Sequence, residues 1–159
     1  MKKLLLITSL FIASLTVNAQ IEGGTIMTGG SAFYNNNKVK NATSSTTSIS
    51  VNPQFGVAFA DNFIGGMWFE IGSFSEVSSW SVAPFVRYYT GNLFGQLGYG
   101  YNSIGGVGQS ILDIEVGYAI FLNDYVALEP AFYYYQYFNN GLSERDLGFK
   151  LGFQIYFNR

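Results

Sequence analysis

In the final stretch GFKLGFQIYFNR (148–159), large apolar side chains keep one parity and small or polar ones the other. Phe149, Leu151, Phe153, Ile155 and Phe157 alternate with Gly148, Lys150, Gly152, Gln154 and Tyr156. Successive side chains of a strand point to opposite faces, so the segment predicts a β-strand with one strongly apolar side. The same alternation recurs in segments of about ten residues, the length a tilted strand needs to cross a bilayer. It predicts strands at 25–34, 47–59, 63–73, 79–90, 93–101, 110–121, 125–137 and 147–158, eight in all. Asp61-Asn62, Gly91-Asn92 and Asn123-Asp124 predict tight hairpin turns, because these residue types tolerate positive φ. Between the turns lie longer polar stretches at 35–47, 73–79, 102–109 and 138–146, which predict loops. Short connections at one end and long ones at the other are the layout of an outer-membrane barrel.

Alternation alone does not say which face points inward. On the parity of Phe69, Ile71, Val82, Val86, Leu97, Tyr99, Ile114, Val116, Phe132, Phe149, Leu151 and Phe153 nearly every residue is large and apolar. The interior of an eight-stranded barrel barely holds its own side chains, and such a set would overfill it. The opposite parity mixes Glu70, Arg87, Gln96, Asp113, Glu115, Glu129, Lys150 and Gln154 with Gly66, Gly72, Ala83, Gly98, Gly100, Gly117, Ala127 and Ala131. Tiny residues beside long polar ones suit a crowded interior, whereas glycine and alanine are poor strand formers on a wet surface. The polar face is therefore expected inside.

Charge reinforces this assignment. An Arg or Lys facing lipid near the midplane costs about 2–4 kcal/mol. Arg87 and Lys150, both mid-strand, should thus point inward, where Glu70, Asp113, Glu115 and Glu129 share their parity. The expectation is an internal charge network of Glu70, Arg87, Asp113, Glu115, Glu129 and Lys150, structural rather than conductive or catalytic. Asp113 and Glu115 belong to it rather than to a metal or acid/base pair. Trp80, Tyr99, Tyr101, Tyr134 and Phe138 are expected as an aromatic girdle on the loop side, and Phe63, Tyr88, Tyr118 and Phe157 on the turn side.

Composition narrows the function. Charged residues make up 11% and aromatics 18% of the 159 residues, where a soluble domain carries about a quarter charged. Met1-Lys2-Lys3, an apolar run from Leu4 to Val17, and Val17-Asn18-Ala19 before Gln20 have the parts of a secretory signal peptide (1–19). One mature domain, 20–159, is expected to follow. Setting aside Lys2 and Lys3 leaves six basic residues of the eight, against ten acidic ones, which argues against a nucleic-acid partner. The chain has neither histidine nor cysteine, so Ser-His arrangements cannot be assembled and no disulfide can form. The reading is non-enzymatic, with no cofactor and no metal. Gly105-Gly106-Val107-Gly108 lacks the Lys-Ser/Thr of a phosphate-cradling loop and reads as flexible surface loop. Pro53, Pro84 and Pro130 fall inside predicted strands, where each removes a ladder hydrogen bond unless it sits at a bulge.

The segments NPQFGVAFADNF (52–63), APFVRYYTGNLFGQLGYGY (83–101) and VGYAIFLNDYVALEP (116–130) each read as strand, tight turn and strand. Their succession resembles small bacterial outer-membrane β-barrel proteins of the OmpA/OmpX type, the group often labelled porin family. Lys150-x-Gly152-x-x-Ile155-x-Phe157 resembles the carboxy-terminal signal by which the barrel-insertion machinery recognises such proteins. The family usually ends on the aromatic, whereas Asn158 and Arg159 follow here. The resemblance implies an all-β, eight-stranded antiparallel up-and-down transmembrane barrel with short periplasmic turns and longer extracellular loops. It also implies a monomer in contact with outer-membrane lipid and lipopolysaccharide, with an extracellular partner reached through the loops. Two function classes compete with a structural or interaction scaffold for adhesion or envelope integrity: a narrow channel for small or apolar solutes, and a secreted lipocalin-like carrier.

Overall fold

The computed structural model describes residues 21–38, 45–74, 77–139 and 142–159. The expected signal peptide and the tip of the first polar stretch lie outside the described residues. Eight antiparallel strands follow one another: β1 (Ile26–Lys38), β2 (Ser45–Ala60), β3 (Phe63–Phe74), β4 (Val77–Thr90), β5 (Leu93–Ile104), β6 (Val107–Tyr118, resuming after Ala119 as Ile120–Phe121), β7 (Val126–Asn139) and β8 (Leu142–Phe157). Each pairs with the next, and β8 returns to β1, so the chain is the closed up-and-down barrel its alternation predicts.

Partners at one level run Met27, Gly56, Gly66, Phe85, Gly98, Asp113, Tyr135 and Asp146. Met27 lies opposite Tyr156, so the same register sets Asp146 level with Asn37. One circuit of the wall thus climbs ten residues along β1, which goes with strands tilted by roughly 35–45°. The closing seam is the least paired junction between consecutive full strands. It is bonded from Ile26–Phe157 only as far as Ser31–Gly152, and Gly30 takes a φ of +149° just where the pairing stops, a conformation that favours glycine.

The two faces divide as size and charge require. Phe69, Ile71, Val86, Leu97, Tyr99, Val116, Phe132, Phe149, Leu151 and Phe153 are all exposed on the outer surface, whereas Arg87, Gln96, Asp113, Glu115, Glu129, Lys150 and Gln154 are buried inside. Phe63 and Tyr88 touch near the tight turns, and Trp80 and Tyr101 touch at the other end.

The connections differ in part from expectation. Asp61-Asn62 and Gly91-Asn92 are two-residue turns; Asn62 is left-handed at φ 64° and Gly91 at φ 57°. Asn123-Asp124 is instead the middle of a four-residue bend at 122–125, held by the Asn123 side-chain oxygen accepting from the Tyr125 and Val126 amides. The polar stretches read as loops are strand wherever they are described, except for the turn at Gly105-Gly106. β3 runs to Phe74 and β4 starts at Val77, and Gly105 and Gly106, at φ 57° and 84°, form a two-residue turn between β5 and β6. Two consecutive left-handed residues are the type I′ pattern, which matches the twist of a hairpin. The Gly-rich segment is therefore a tight tip rather than a flexible loop.

The prolines are not at the register shift found among the described residues, which lies at Ala58/Ala60. Each proline instead keeps its ladder on one side and interrupts it on the other. Pro53 pairs with Gly30 while the β2–β3 ladder skips from Val51 to Gln54. Pro84 pairs with Met67 while β4–β5 skips from Val82 to Phe85. Pro130 pairs with Leu151 while the ladder to β6 skips from Ala131 to Leu128. A residue without an N–H can satisfy one neighbour but not two.

Candidate functional site: the internal charge network

The interior is layered. At the turn side Ile21, Met27, Ala119, Phe121 and Tyr156 are buried as an apolar plug. The segment before β1 is tied there by Asn62 N–H donating to the Ile21 carbonyl (2.8 Å) and Thr25 Oγ1 donating to the Asn158 carbonyl (3.1 Å).

Above the plug sits Arg87 of β4, 1% exposed. Its Nη1 donates to Glu129 Oε2 of β7 at 2.7 Å and to the Tyr89 hydroxyl at 3.1 Å. Nη2 donates to Gln54 Oε1 at 3.0 Å and Nε to Gln96 Oε1 at 2.9 Å, and the guanidinium lies 4.3 Å from the Phe94 ring centre. Glu129 is equally well held, because its Oε1 accepts from the Tyr89 hydroxyl (3.2 Å) and from the Tyr156 hydroxyl. A buried ion pair offsets its desolvation only when its other polar atoms are engaged, and here each nitrogen and oxygen of the pair has at least one partner.

Lys150 of β8 reaches across to Glu115 of β6, donating to Oε1. Asp113, on the same face of β6, accepts from Gln96 Nε2 at 3.0 Å. Gln96 therefore links Arg87 to Asp113. Glu70 of β3 faces inward but is half-buried; it lies beside Asn52 and within Coulombic reach of Lys150, without a salt bridge to any described residue. Among the described residues the salt bridges are Arg87–Glu129 and Lys150–Glu115. The six residues singled out from the sequence thus all face one interior, with four paired and Asp113 tied in through Gln96. Sequence reasoning passed over Tyr89 and Gln54; Tyr89 stands two residues after Arg87 and so shares its face.

Room for these side chains comes from glycine. A Cβ at Gly66 would run into the Phe55 carbonyl and the Phe85 ring, and one at Gly117 into the Phe94 ring and Ala131. The enclosed space beside Arg87, Glu115, Glu129 and Lys150 is about 10 Å³, roughly one water molecule. Among the described residues no group of three His, Cys, Asp or Glu stands in metal-binding proximity. Of the carboxy-terminal motif, Lys150 and Gly152 face inward, while Ile155 and Phe157 lie on the outer face.

No protein-family model and no curated protein sequence matches the chain. Solved structures do. The outer membrane protein OprG from Pseudomonas aeruginosa superposes with a TM-score of 0.52 at 13% identity, covering 87% of this chain and 98% of its own. Neisserial surface protein A (NspA) superposes with a TM-score of 0.54 at 12% identity, covering 84% of this chain and 94% of its own. At such identities the likeness is one of fold, that of the small outer-membrane barrel.

Proposed function

We propose that the chain is exported through a cleaved signal peptide to the bacterial outer membrane and serves there as a non-enzymatic scaffold. Its rigid barrel holds hairpin tips at the cell surface for adhesion or envelope integrity. The observation that carries this reading is the filled interior: Arg87 and Lys150 are each tied to a carboxylate across the barrel, beside only about 10 Å³ of enclosed space. A solute path would have to break these pairs, leaving a charge buried and alone. The apolar outer belt supports the membrane location, since Phe132 at 69% and Phe149 at 60% exposure have no place in water. Lys150, Gly152, Ile155 and Phe157 would serve as the assembly signal, with lipid and lipopolysaccharide around a monomeric barrel.

Planar-bilayer recording of the purified, refolded protein tests the reading. The scaffold gives no steady conductance, and liposomes carrying it do not swell in small sugars or amino acids. Stable unitary steps, or swelling, would overturn it in favour of a narrow channel.

A further inference from the structure

The outward positions of β1 are small: Thr28, Gly30 and Ala32. On either side stand large apolar groups, Val51 of β2 at 53% exposure and Leu151 and Phe153 of β8 at 55% and 46%. The register sets Gly30 between Pro53 and Phe153, and Ala32 opposite Val51. The result is a groove one strand wide on the outer surface, floored by β1 and walled by β2 and β8, with a volume of about 400 Å³. No side chain can fill its floor at Gly30, because the φ of +149° is left-handed and a Cβ would strike the Asn52 carbonyl. The seam ladder ends beside it at Ser31–Gly152, so Ala32 has no ladder partner on β8 among the described residues.

The groove opens into the apolar belt, and its described lining residues include no charged side chain. Nothing there holds a headgroup or an ion; the walls offer only apolar contact. Left empty, such walls lose the dispersion contacts that a partner atom would give. Among hydrocarbon tails those contacts, rather than escape from water, decide what sits against a membrane protein. A thin flexible chain can enter between the ridges. A second barrel is convex and would rest on the rims, and a stable protein interface needs about 800 Å² per partner, a broader face than one strand presents. A methylene is close in size to the roughly 30 Å³ share of one water molecule, so a segment of about a dozen carbons fills the space.

We infer that the groove at the β1–β8 seam is a lipid-binding site that seats one acyl chain of a bilayer lipid along β1. The chain lies on Gly30 and Ala32, between Leu151 and Phe153 on one side and Val51 and Pro53 on the other, and closes over the point where the seam ladder ends. The inference rests on the membrane location proposed above, and not on whether any solute passes through the barrel.

A chain without cysteine lets a single fluorescent label report on the groove. Val51→Cys on its rim and Val116→Cys on the outer face of β6, at native positions 53% and 57% exposed, carry the label one at a time. Into the refolded full-length protein in detergent micelles is titrated phosphatidylcholine with a nitroxide on its acyl chain, which quenches on contact. The label at 51 should reach half-quenching at a lipid mole fraction about threefold or more below that at 116, and excess unlabelled lipid should reverse it. Ala32→Phe fills the floor from the lipid side and should bring the curve for 51 onto that for 116. Each variant is first shown to migrate as a folded, heat-modifiable barrel, and the comparison of 51 with 116 stands without the filled variant. Coincident curves in the unfilled protein, or a curve for 51 that Ala32→Phe leaves unchanged, would overturn the inference and leave the membrane location intact. A label at 116 that lipid never quenches would overturn both. A label at 51 shielded from lipid in a protein that sediments as a dimer would overturn the inference in favour of a second copy.

Discussion

Arg87 of β4 and Glu129 of β7 meet at 2.7 Å across the middle of the barrel, joining strands that share no ladder. The pair thus acts as an internal strut, and its partners Tyr89, Tyr156, Gln54 and Gln96 leave little of it unsatisfied. Glu129→Ala strands the guanidinium and two tyrosine hydroxyls, at a cost of about 3–5 kcal/mol. Urea unfolding of the barrel in lipid vesicles measures this. The double variant Arg87→Met/Glu129→Leu removes both charges together and should recover much of the loss. A single variant as stable as the parent would show that the strut contributes nothing.

Leu151 and Lys150 are neighbours in sequence on opposite faces of β8, the first 55% exposed and the second 6%. Leu151→Arg places a charge in the lipid-facing belt and should destabilise by about 2–4 kcal/mol in the same vesicle assay. Leu151→Met keeps the surface apolar and should cost less than about 1.5 kcal/mol. Equal effects would contradict the assignment of the outer face.

Gly117 lies under the Phe94 ring and against Ala131. Gly117→Leu overfills the interior at that level and should lower stability by about 1–3 kcal/mol, or prevent insertion altogether. Replacing the aromatic as well, in Gly117→Leu/Phe94→Ala, returns volume and should restore a heat-modifiable barrel. Folding of the single variant with undiminished stability would mean that the interior is looser than its packing implies.

The barrel was legible because a thin cylinder leaves only one place for bulky apolar groups, so parity alone separated Phe153 from Gln154 and Val86 from Arg87. What the sequence reading left out was the aromatic share of the inner face. Trp68, Phe85, Tyr89, Phe94, Tyr135 and Tyr156 are all buried there. Each stands on the polar parity, yet of the six only Tyr156 was read as belonging to it. The signal that could have placed them is the run of inward glycines at 56, 66 and 117, since a glycine opposite a ring makes the space the ring occupies.

The loops were misread for a different reason. Toward the strand tips polar residues stand on both faces, so 73–74, 77–79, 102–104 and 107–109 lose strict alternation while keeping their pairing. Hydropathy cannot tell such strand from coil. The left-handed pair Gly105-Gly106 was the local sign of a tight hairpin, and Asn123-Asp124 looked like one but lies within a wider bend.

The central claim is that the bulky apolar face meets lipid and the charged face is enclosed, and the absence of cysteine makes a direct measurement clean. Nitroxide labels placed singly from Phe149 to Tyr156 in the vesicle-embedded protein report collision with oxygen, which partitions into hydrocarbon, and with a water-soluble nickel chelate. The account predicts a period of two, with 149, 151 and 153 open to oxygen and closed to nickel, and 150, 152 and 154 shielded from oxygen. Oxygen maxima at 150, 152 and 154, or nickel access at 151 and 153, would contradict it.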